Sequence, residues 1–380
     1  MKHIVQIIDS LKVGGAQKLL VTMAEVLQRR DETLTVISLD NRESPIRQQL
    51  HSLNIPILSL RGRNKLFDPK RVWQITEFLR QGQFDVIHTH LTHANILGTL
   101  AGRLAGIPVA ASLHNVRLDR RQHSHSKALL ENMILRYGTH RVIAVGHVVE
   151  EAYRKQLNGK RIEVIPNAVS AIPALPLAAR LAIRTSLVGD PERPLLIAIG
   201  RLTPQKGYPD LLAALDRLRQ SHPAVAVIIA GEGKLESELK QRIQALGLSN
   251  HVFLLGRRED VPALLAASDV YVSASLWEGL SVATLEAMAA GLPIVATRVG
   301  EVPRMVVAGT GITVAPRDPE VLAQALAQFL ESPAERRLAG DAARGHVSRC
   351  HEANAWVRRL LALYGELYTL ASPILSQEGV

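Results

Sequence analysis

Residues 275–293 read Ser-Leu-Trp-Glu-Gly-Leu-Ser-Val-Ala-Thr-Leu-Glu-Ala-Met-Ala-Ala-Gly-Leu-Pro. A short β-branched run at 270–273 comes directly before them and predicts a buried strand. The helical spacing of the apolar residues predicts a helix over 281–290, and Gly291 and Pro293 supply the expected stop signals. Strand, loop and helix in this order are the building block of parallel α/β sheets.

The same rhythm continues in both directions from this segment. In the second half of the chain, strands are predicted at 195–199, 225–230, 252–255, 270–273 and 294–296, with helices at 208–219, 235–246 and 320–330. The first half is similar, with predicted strands at 4–8, 34–39, 55–60, 84–88, 109–114, 141–145 and 162–165 and helices at 14–29 and 94–104. The pattern predicts an α/β protein with two doubly wound parallel sheets in tandem.

A proline-rich stretch separates the two halves. Residues 166–194 carry five prolines and little periodicity, which is typical of a linker. We therefore expect an N-terminal Rossmann-like domain over 1–168 and a C-terminal one over 169–350. The remaining residues, 351–380, contain apolar side chains at helical spacing, and we expect them to form a helix that packs back on the first domain.

Composition narrows the class of protein further. A single cysteine, Cys350, excludes an internal disulfide framework and suits the cytoplasm. The apolar run at the amino terminus is too short for a secretory signal, and no run approaches the roughly 18 apolar residues of a membrane-spanning helix. We expect a cytoplasmic protein, with any membrane contact peripheral and at the inner face of the cytoplasmic membrane.

The net charge of +10 lies entirely in the first half. Residues 1–168 hold 24 basic and 14 acidic residues, whereas the rest of the chain holds 21 of each. The densest cluster contains Arg117, Arg120, Arg121, His123, His125 and Lys127. It is either an ordinary solvated surface or a site for anionic lipid or an acidic acceptor. Nucleic acid is disfavoured, because the cluster carries no aromatic residue to stack on bases.

Two carboxylates flank the start of the helix predicted at 281–290. Glu278 lies in the loop before this helix and Glu286 within its first two turns, so both can point beyond the strand ends. A carboxylate accepts two hydrogen bonds at fixed geometry, which suits sugar or ribose hydroxyls. The amides of Gly279, Leu280 and Ser281 lie at the helix amino terminus, where unpaired N–H groups and a partial positive charge suit a phosphate.

A second loop, at 200–207, reads Gly-Arg-Leu-Thr-Pro-Gln-Lys-Gly. Two cations in a turn are usually only solvated surface. Arg201 and Lys206, however, follow a buried strand and precede a helix, where they are better placed to neutralise a leaving diphosphate. Negative charge grows on that group as its bond to a sugar breaks, so two fixed cations would stabilise the transition state more than the ground state.

The 275–293 segment resembles the Glu-x7-Glu motif of retaining glycosyltransferases with the GT-B fold, specifically glycosyltransferase family 4, and the 200–207 loop is similar to the same family. The resemblance implies two Rossmann-like domains that face a cleft, with a nucleotide diphosphate sugar held by the second domain. It assigns Glu278 to hydroxyls of the transferred sugar and Glu286 to the ribose. It assigns Arg201 and Lys206 to the diphosphate.

Weaker signals lie in the first half. Gly14 and Gly15 follow a predicted strand and open a helix; they mark either a tight turn or, as the resemblance implies, a loop against the donor phosphate or the acceptor. His114, at a strand end, resembles the family's histidine near the donor sugar, although an isolated strand-end histidine is otherwise more often structural. His88 and His90 share a strand face and could suggest a metal. The family's similar pair lines the acceptor side, and we favour that interpretation.

Three more residues follow strands in the second half. Glu232, Gly256 and Arg257 resemble family positions near the nucleotide base, but each could be part of a turn only. The chain contains no Asp-x-Asp triplet, the pair with which sugar-nucleotide transferases of the other major fold hold a divalent metal. We therefore expect Arg201 and Lys206 to replace that metal, with no metal and no other cofactor required.

These patterns favour one function and leave two alternatives. The favoured function is a retaining glycosyltransferase that moves a hexose or N-acetylhexosamine from a nucleotide diphosphate sugar, preferably a UDP-sugar, to a lipid-linked or saccharide acceptor in surface polysaccharide or lipopolysaccharide biosynthesis. The first alternative is a sugar-nucleotide epimerase of the same fold. The second is a nonenzymatic protein that binds a nucleotide-sugar or an anionic surface.

Overall fold

The chain forms two compact units. The computed structural model describes residues 2–61, 68–116 and 125–371. The first unit contains the residues up to Asn167 together with the segment from Ala353 onward, and the second unit contains Ala168–Glu352. Each unit is built around its own parallel sheet, covered by helices.

The first unit alternates strands and helices. Its strands are β1 (His3–Ile8), β2 (Thr33–Ser38), β3 (Ile57–Ser59), β4 (Val86–His90), β5 (Val109–Leu113), β6 (Arg141–Ala144) and β7 (Ile162–Val164). Its helices are α1 (Gly15–Leu27), α2 (Pro45–Ser52), α3 (Pro69–Gln81), α4 (Thr92–Ala105), α5 (His125–Met133), which continues as a π turn over Ile134–Gly138, and α6 (His147–Arg154).

The first sheet has the order β3-β2-β1-β4-β5-β6-β7, with every strand pair parallel. The direction of winding reverses between β1 and β4, which pair with Ile8 beside His90. At such a switch point the connections leave in opposite directions, and ligands of doubly wound sheets bind outside the carboxyl ends of the strands there. The residues that follow β1, β4 and β5 are therefore the candidates for a site in this unit.

The second unit repeats the architecture. Its strands are β8 (Leu195–Ile199), β9 (Ala226–Ala230), β10 (Val252–Gly256), β11 (Val270–Ser273), β12 (Ile294–Thr297) and β13 (Gly311–Val314). Its helices are α7 (Leu177–Val188), α8 (Tyr208–Ser221), α9 (Glu236–Ala245), α10 (Val261–Ala267), α11 (Val282–Ala289), α12 (Val302–Met305), α13 (Pro319–Glu331) and α14 (Pro333–Cys350). Here the order is β10-β9-β8-β11-β12-β13, so the switch point lies between β8 and β11.

The last helix, α15 (Ala353–Ala371), belongs to the first unit. Its apolar stripe is buried, and the hydroxyl of Tyr364 accepts a hydrogen bond at 3.2 Å from the side-chain amide of Gln6 on β1. Helix α15 therefore contributes to the core beside the first strand.

The predicted fold class, α/β with two doubly wound parallel sheets, is confirmed. One strand prediction is wrong by two residues, because β4 covers Val86–His90 where 84–88 was expected. Phe84 lies outside the sheet, and its ring packs against Phe78 of α3. Asp85 precedes β4, and its carboxylate accepts a 2.7 Å hydrogen bond from the amide of His3.

The prediction of a linker over 166–194 is wrong for the central part of this segment, which forms α7. This helix is fixed to the second unit by Arg184, which is buried although charged. The Arg184 guanidinium donates to the Asp269 carboxylate at 3.1 Å and to the carbonyl of Ala267 at 2.9 Å. Asp269 also accepts from Arg180 at 2.7 Å and from the amide of Leu195 at the start of β8 at 2.8 Å.

Replacing Arg184 with Met should destabilise the second unit by about 2–3 kcal/mol, because it leaves the carbonyl of Ala267 unpaired and leaves Asp269 with only Arg180 and the amide of Leu195 as partners. Urea unfolding monitored by circular dichroism measures the loss. As a matched control, Arg258→Met removes the exposed pair between Arg258 and Asp260, which should cost at most about 1 kcal/mol. Equal losses in the two variants would show that the Arg184 network does not hold α7 in place.

Candidate functional site

Two loops of the second unit meet at the carboxyl ends of its central strands. Residues 200–207 follow β8 and residues 274–281 follow β11, and these two strands are neighbours in the sheet. The backbone amide of Leu276 donates to the carbonyl of Gln205 at 2.7 Å, which joins the loops directly. The switch point of the second sheet is therefore lined by both of the segments that the sequence singled out.

Glycine allows this close approach at two places. Gly207 has φ +60°, and a Cβ atom there would lie 2.0 Å from the carbonyl oxygen of Ala274. Gly300, after β12, has φ +53°, and a Cβ atom would lie 2.3 Å from the carbonyl oxygen of Glu278. Any other side chain would both strain the backbone and push a neighbouring loop away.

Lys206 and Glu278 form an ion pair where the loops meet. The Lys206 Nζ donates to Glu278 Oε1 at 2.5 Å, and Ser275 Oγ donates to the same oxygen at 2.8 Å. Gln205 Nε2 lies 3.4 Å from Glu278 Oε2. Glu278 is only 7% exposed, so the charges interact with little screening by water. The arrangement holds a cation and a carboxylate side by side at the edge of the sheet.

The loop after β12 holds this segment from the other side. Thr297 Oγ1 donates to the carbonyl of Ser275 at 2.5 Å, and the amide of Glu301 donates to the carbonyl of Gly279 at 3.0 Å. Our sequence reasoning did not identify Thr297, Gly300 or Glu301. The available signal was a glycine soon after a strand and just before a short helix that begins with Val-Pro.

The second carboxylate of the motif lies on α11. Glu286 is partly buried, and Ser281 caps this helix by accepting a 3.3 Å hydrogen bond from the amide of Thr284. Burial raises the pKa of the Tyr271 hydroxyl, and the charges of Glu278 and Glu286 raise it further. Both carboxylates therefore lie close enough to the buried hydroxyl of β11 for their charges to act on it.

The other predicted residues of the second unit follow neighbouring strands but do not touch the ion pair. Arg201 is exposed, and its side chain makes no hydrogen bond or ion pair within the described ranges. Glu232 and Arg257 are exposed after β9 and β10, and Gly256 has φ +64°. The carbonyl of Glu232 accepts a 3.0 Å hydrogen bond from the amide of Leu202, which ties its loop to residues 200–207.

The edge of the first sheet carries its own polar groups. Gly14 immediately precedes α1 and Gly15 is its first residue, as the sequence indicates. Asp9, directly after β1, accepts hydrogen bonds from the amide of Ala94 at 2.7 Å and from the His93 ring at 3.0 Å, and so caps α4. Asp9 and His93 were missed, although an aspartate directly after a strand was a usable signal.

Three histidines lie together where β4 and β5 end. His88 bonds Tyr364 at 2.5 Å and Ser112 at 2.7 Å, and His90 Nδ1 lies 2.9 Å from His114 Nε2. Burial lowers the pKa of His88 to about 3 and that of His114 to about 4, and it lowers the pKa of His90 well below the ordinary value. All three rings are therefore neutral at pH 7.

The described residues offer no metal site in this cluster. Both ring nitrogens of His88 are engaged by protein groups, and no set of three or more His, Cys, Asp or Glu side chains in the described ranges is arranged to hold a metal ion.

Most of the basic cluster lies outside the described residues. This applies to Arg117, Arg120, Arg121 and His123, and to the side chain of His125. Lys127 is described, and its Nζ lies 3.4 Å from His93 Nε2. Across the described ranges, no helix combines the length and the apolarity needed to cross a membrane.

Two family models match the chain. The model described as Glycosyltransferase Family 4 matches residues 13–171, and the model described as Glycosyl transferases group 1 matches residues 180–346. The second match spans the Lys206–Glu278 pair and its supporting loops.

The chain also resembles curated proteins along part of their length. An Escherichia coli protein named UDP-Gal:alpha-D-GlcNAc-diphosphoundecaprenol alpha-1,3-galactosyltransferase is 30% identical over 241 residues, which are 61% of this chain and 62% of that protein. The Rhizobium meliloti lipopolysaccharide core biosynthesis mannosyltransferase LpsB is 31% identical over 188 residues, 47% of this chain and 53% of LpsB. The matched segments thus span little more than half of each relative.

Solved structures share the fold over almost the whole chain. The crystal structure of Anabaena HepE in complex with UDP superposes with a TM-score of 0.81 at 24% identity, and covers 96% of this chain and 100% of HepE. This likeness shows a common two-domain architecture.

The histidine cluster makes stability depend on pH. The folded chain keeps His88 and His114 neutral, whereas in the unfolded chain they take up protons below about pH 6.5. The two histidines therefore contribute fully to the free energy of unfolding above that pH. This contribution falls as the pH drops toward 4. For each of these histidines, the free energy of unfolding should fall by up to about 1.4 kcal/mol per pH unit as the pH is lowered.

Urea unfolding between pH 7 and pH 5 measures this slope. His88→Asn should reduce this slope by the equivalent of about one proton taken up on unfolding. His51→Asn, at an exposed position of α2, should leave the slope unchanged. A stability that stays constant from pH 7 to pH 5 would contradict the neutral, buried state of the cluster.

Proposed function

We propose a specific reaction for this chain, which belongs to glycosyltransferase family 4 and has the GT-B fold. It transfers a hexose or an N-acetylhexosamine from a UDP-sugar to a lipid-linked or saccharide acceptor, with retention of anomeric configuration. The observation that carries the proposal is the ion pair between the partly buried Lys206 and the buried Glu278, at the switch point between β8 and β11.

Lys206 and Arg201 supply positive charge to the diphosphate of the donor. Lys206 is positioned by Glu278, and Arg201 is exposed in the same loop, one residue after Gly200. As the bond between the anomeric carbon and the diphosphate breaks, negative charge accumulates on the leaving oxygen. Lys206, which Glu278 holds in place, stabilises that charge without having to reorganise during the reaction, and Arg201 adds a second positive charge. They take the place of a divalent metal, and we propose that the reaction needs none.

Glu278 and Glu286 bind hydroxyl groups. The Glu278 carboxylate accepts hydrogen bonds from Lys206, Ser275 and Gln205, and carboxylate oxygens have lone pairs for further donors. We assign it to hydroxyls of the transferred sugar and assign Glu286 to the ribose. The amino terminus of α11, with Gly279, Leu280 and Ser281, faces the phosphate in this assignment.

The acceptor attacks from the face that the diphosphate leaves. The bond from the anomeric carbon to the diphosphate oxygen breaks, and a bond from the same carbon to the acceptor oxygen forms on that face. The acceptor proton passes to the departing diphosphate oxygen. The products are a glycoside of unchanged anomeric configuration and a nucleoside diphosphate.

The relatives support the class of donor and acceptor. The Escherichia coli relative is named for UDP-Gal and for an acceptor on diphosphoundecaprenol, HepE was solved with UDP, and LpsB is named for lipopolysaccharide core biosynthesis. The excess positive charge of residues 1–168 suits an anionic, lipid-linked acceptor at the cytoplasmic face of a membrane. We therefore propose a step of surface polysaccharide or lipopolysaccharide assembly, with peripheral membrane contact.

Lys206→Met and Glu278→Gln should each lower kcat by about 10²–10³-fold, because each removes a preorganised group from the developing charge or the sugar. The measurement is release of nucleoside diphosphate from a panel of UDP-, GDP- and ADP-sugars, with lipid-linked and saccharide acceptors, in the presence and absence of EDTA. Lys240→Met, at an exposed position of α9, is the matched control and should retain full activity.

NMR spectroscopy of the product gives its anomeric configuration. Retention with full activity in EDTA is the expected result. An inverted product or abolition of activity by EDTA would contradict the mechanism. Isomerisation of the donor without an acceptor would instead favour an epimerase, and wild-type protein without turnover of any donor would favour a nonenzymatic binding protein.

A further inference from the structure

A chain of hydrogen bonds in the first unit connects the protein core to His114. Its starting point is Gln6 of β1, which is 1% exposed. The Gln6 Nε2 lies 3.3 Å from the sulfur of Met23 and 3.2 Å from the hydroxyl of Tyr364. The Gln6 Oε1 contacts His90 Nε2, and His90 Nδ1 lies 2.9 Å from His114 Nε2.

Met23 fixes the orientation of the Gln6 amide. A thioether sulfur can accept a hydrogen bond but has no proton to donate. The group of Gln6 that faces Met23 is therefore the NH2, and the oxygen faces His90. The reverse orientation would set the amide oxygen against the sulfur and lose that hydrogen bond.

The proton positions on both rings follow from this orientation. The Gln6 oxygen accepts, so His90 carries its proton on Nε2. Because burial keeps His90 neutral, its Nδ1 has no proton and must accept. His114 Nε2 is then the donor in the 2.9 Å contact, and the neutral His114 ring has no proton on Nδ1.

The hydrogen bonds of the third histidine, His88, agree with this orientation of the Gln6 amide. Tyr364 accepts from the Gln6 NH2 and donates its own proton to His88 Nδ1 at 2.5 Å. The His88 proton is then on Nε2, where the ring donates to Ser112 Oγ at 2.7 Å. Each ring N–H of the three histidines thus meets an acceptor while all three rings stay neutral.

We propose that Gln6 and His90 are positioning residues that hold His114 in the tautomer with its proton on Nε2 and a bare Nδ1. Within the described ranges, the His114 side chain makes no hydrogen bond other than that to His90. Its Nδ1 is then a fixed hydrogen-bond acceptor at the carboxyl end of β5. It selects a ligand group that donates a proton, such as a sugar hydroxyl, and disfavours an unprotonated phosphate oxygen.

The identity of that ligand as a sugar rests on the proposed function, whereas the tautomer itself does not. The two can therefore be tested separately. The direct test is long-range proton–nitrogen NMR correlation on protein labelled with ¹⁵N-histidine at pH 7, with the His114 signals assigned from a His114→Asn variant. This experiment requires no substrate.

In the wild type, His114 should show an unprotonated Nδ1 and a protonated Nε2. Gln6→Met removes the acceptor for His90, and the His114 nitrogens should move toward the averaged positions of a free neutral histidine. Ser112→Ala is the control, because it removes a partner of His88 that lies off the path from Gln6 to His114, and it should leave the His114 signals unchanged.

In the transferase assay, Gln6→Met should lower kcat/KM by about tenfold, because the His114 ring is then no longer held in the tautomer that accepts from the ligand. A proton on Nδ1, a doubly protonated ring, or His114 signals unaffected by Gln6→Met would each overturn the proposal. If Gln6→Met does not fold, as shown by circular dichroism, the wild-type spectrum alone decides the tautomer. The expected tautomer in a protein without transferase activity would refute the proposed function and leave this inference standing.

Discussion

The close approach of the loops after β8 and β11 is the constraint on which the second unit depends. It brings Lys206 Nζ to 2.5 Å from Glu278, with the two side chains only 16% and 9% exposed. Desolvating two charges costs more than their attraction returns unless further hydrogen bonds compensate, and Ser275 supplies one to the same oxygen. The loops meet only because Gly207 has no side chain to collide with Ala274. This geometry therefore holds the Lys206–Glu278 ion pair in place at the switch point of the second sheet.

Much of the architecture was readable from the sequence because it depends on local patterns. Buried β-branched runs such as 195–199 and 270–273 coincide with strands, since parallel sheets covered on both faces need continuous apolar stretches. Lys206 and Glu278 were also predicted, because each lies in a loop between a predicted strand and a predicted helix. Their direct contact was not, since it joins residues 72 positions apart.

The features that sequence reasoning missed depend on long-range partners. Helix α7 was read as linker because prolines flank it on both sides, whereas the interaction that holds it, between Arg184 and Asp269, spans 85 positions. Likewise, the sequence suggested only a metal or the acceptor side as roles for His88 and did not indicate its hydrogen-bond partners. Its partner Tyr364 comes from α15, 276 residues later, and no periodicity connects the two. Hydrogen bonds between distant polar groups leave no repeating pattern in the sequence.

Calorimetric titration of the wild type and Lys206→Met with UDP and with uridine tests the central claim, that Lys206 holds the diphosphate of a nucleotide at the edge of the second sheet. The substitution should weaken UDP binding by about 10–100-fold, the effect of one charge-assisted hydrogen bond, and leave uridine binding unchanged. Wild-type protein that does not bind UDP, or an equal loss of affinity for both ligands, would contradict it.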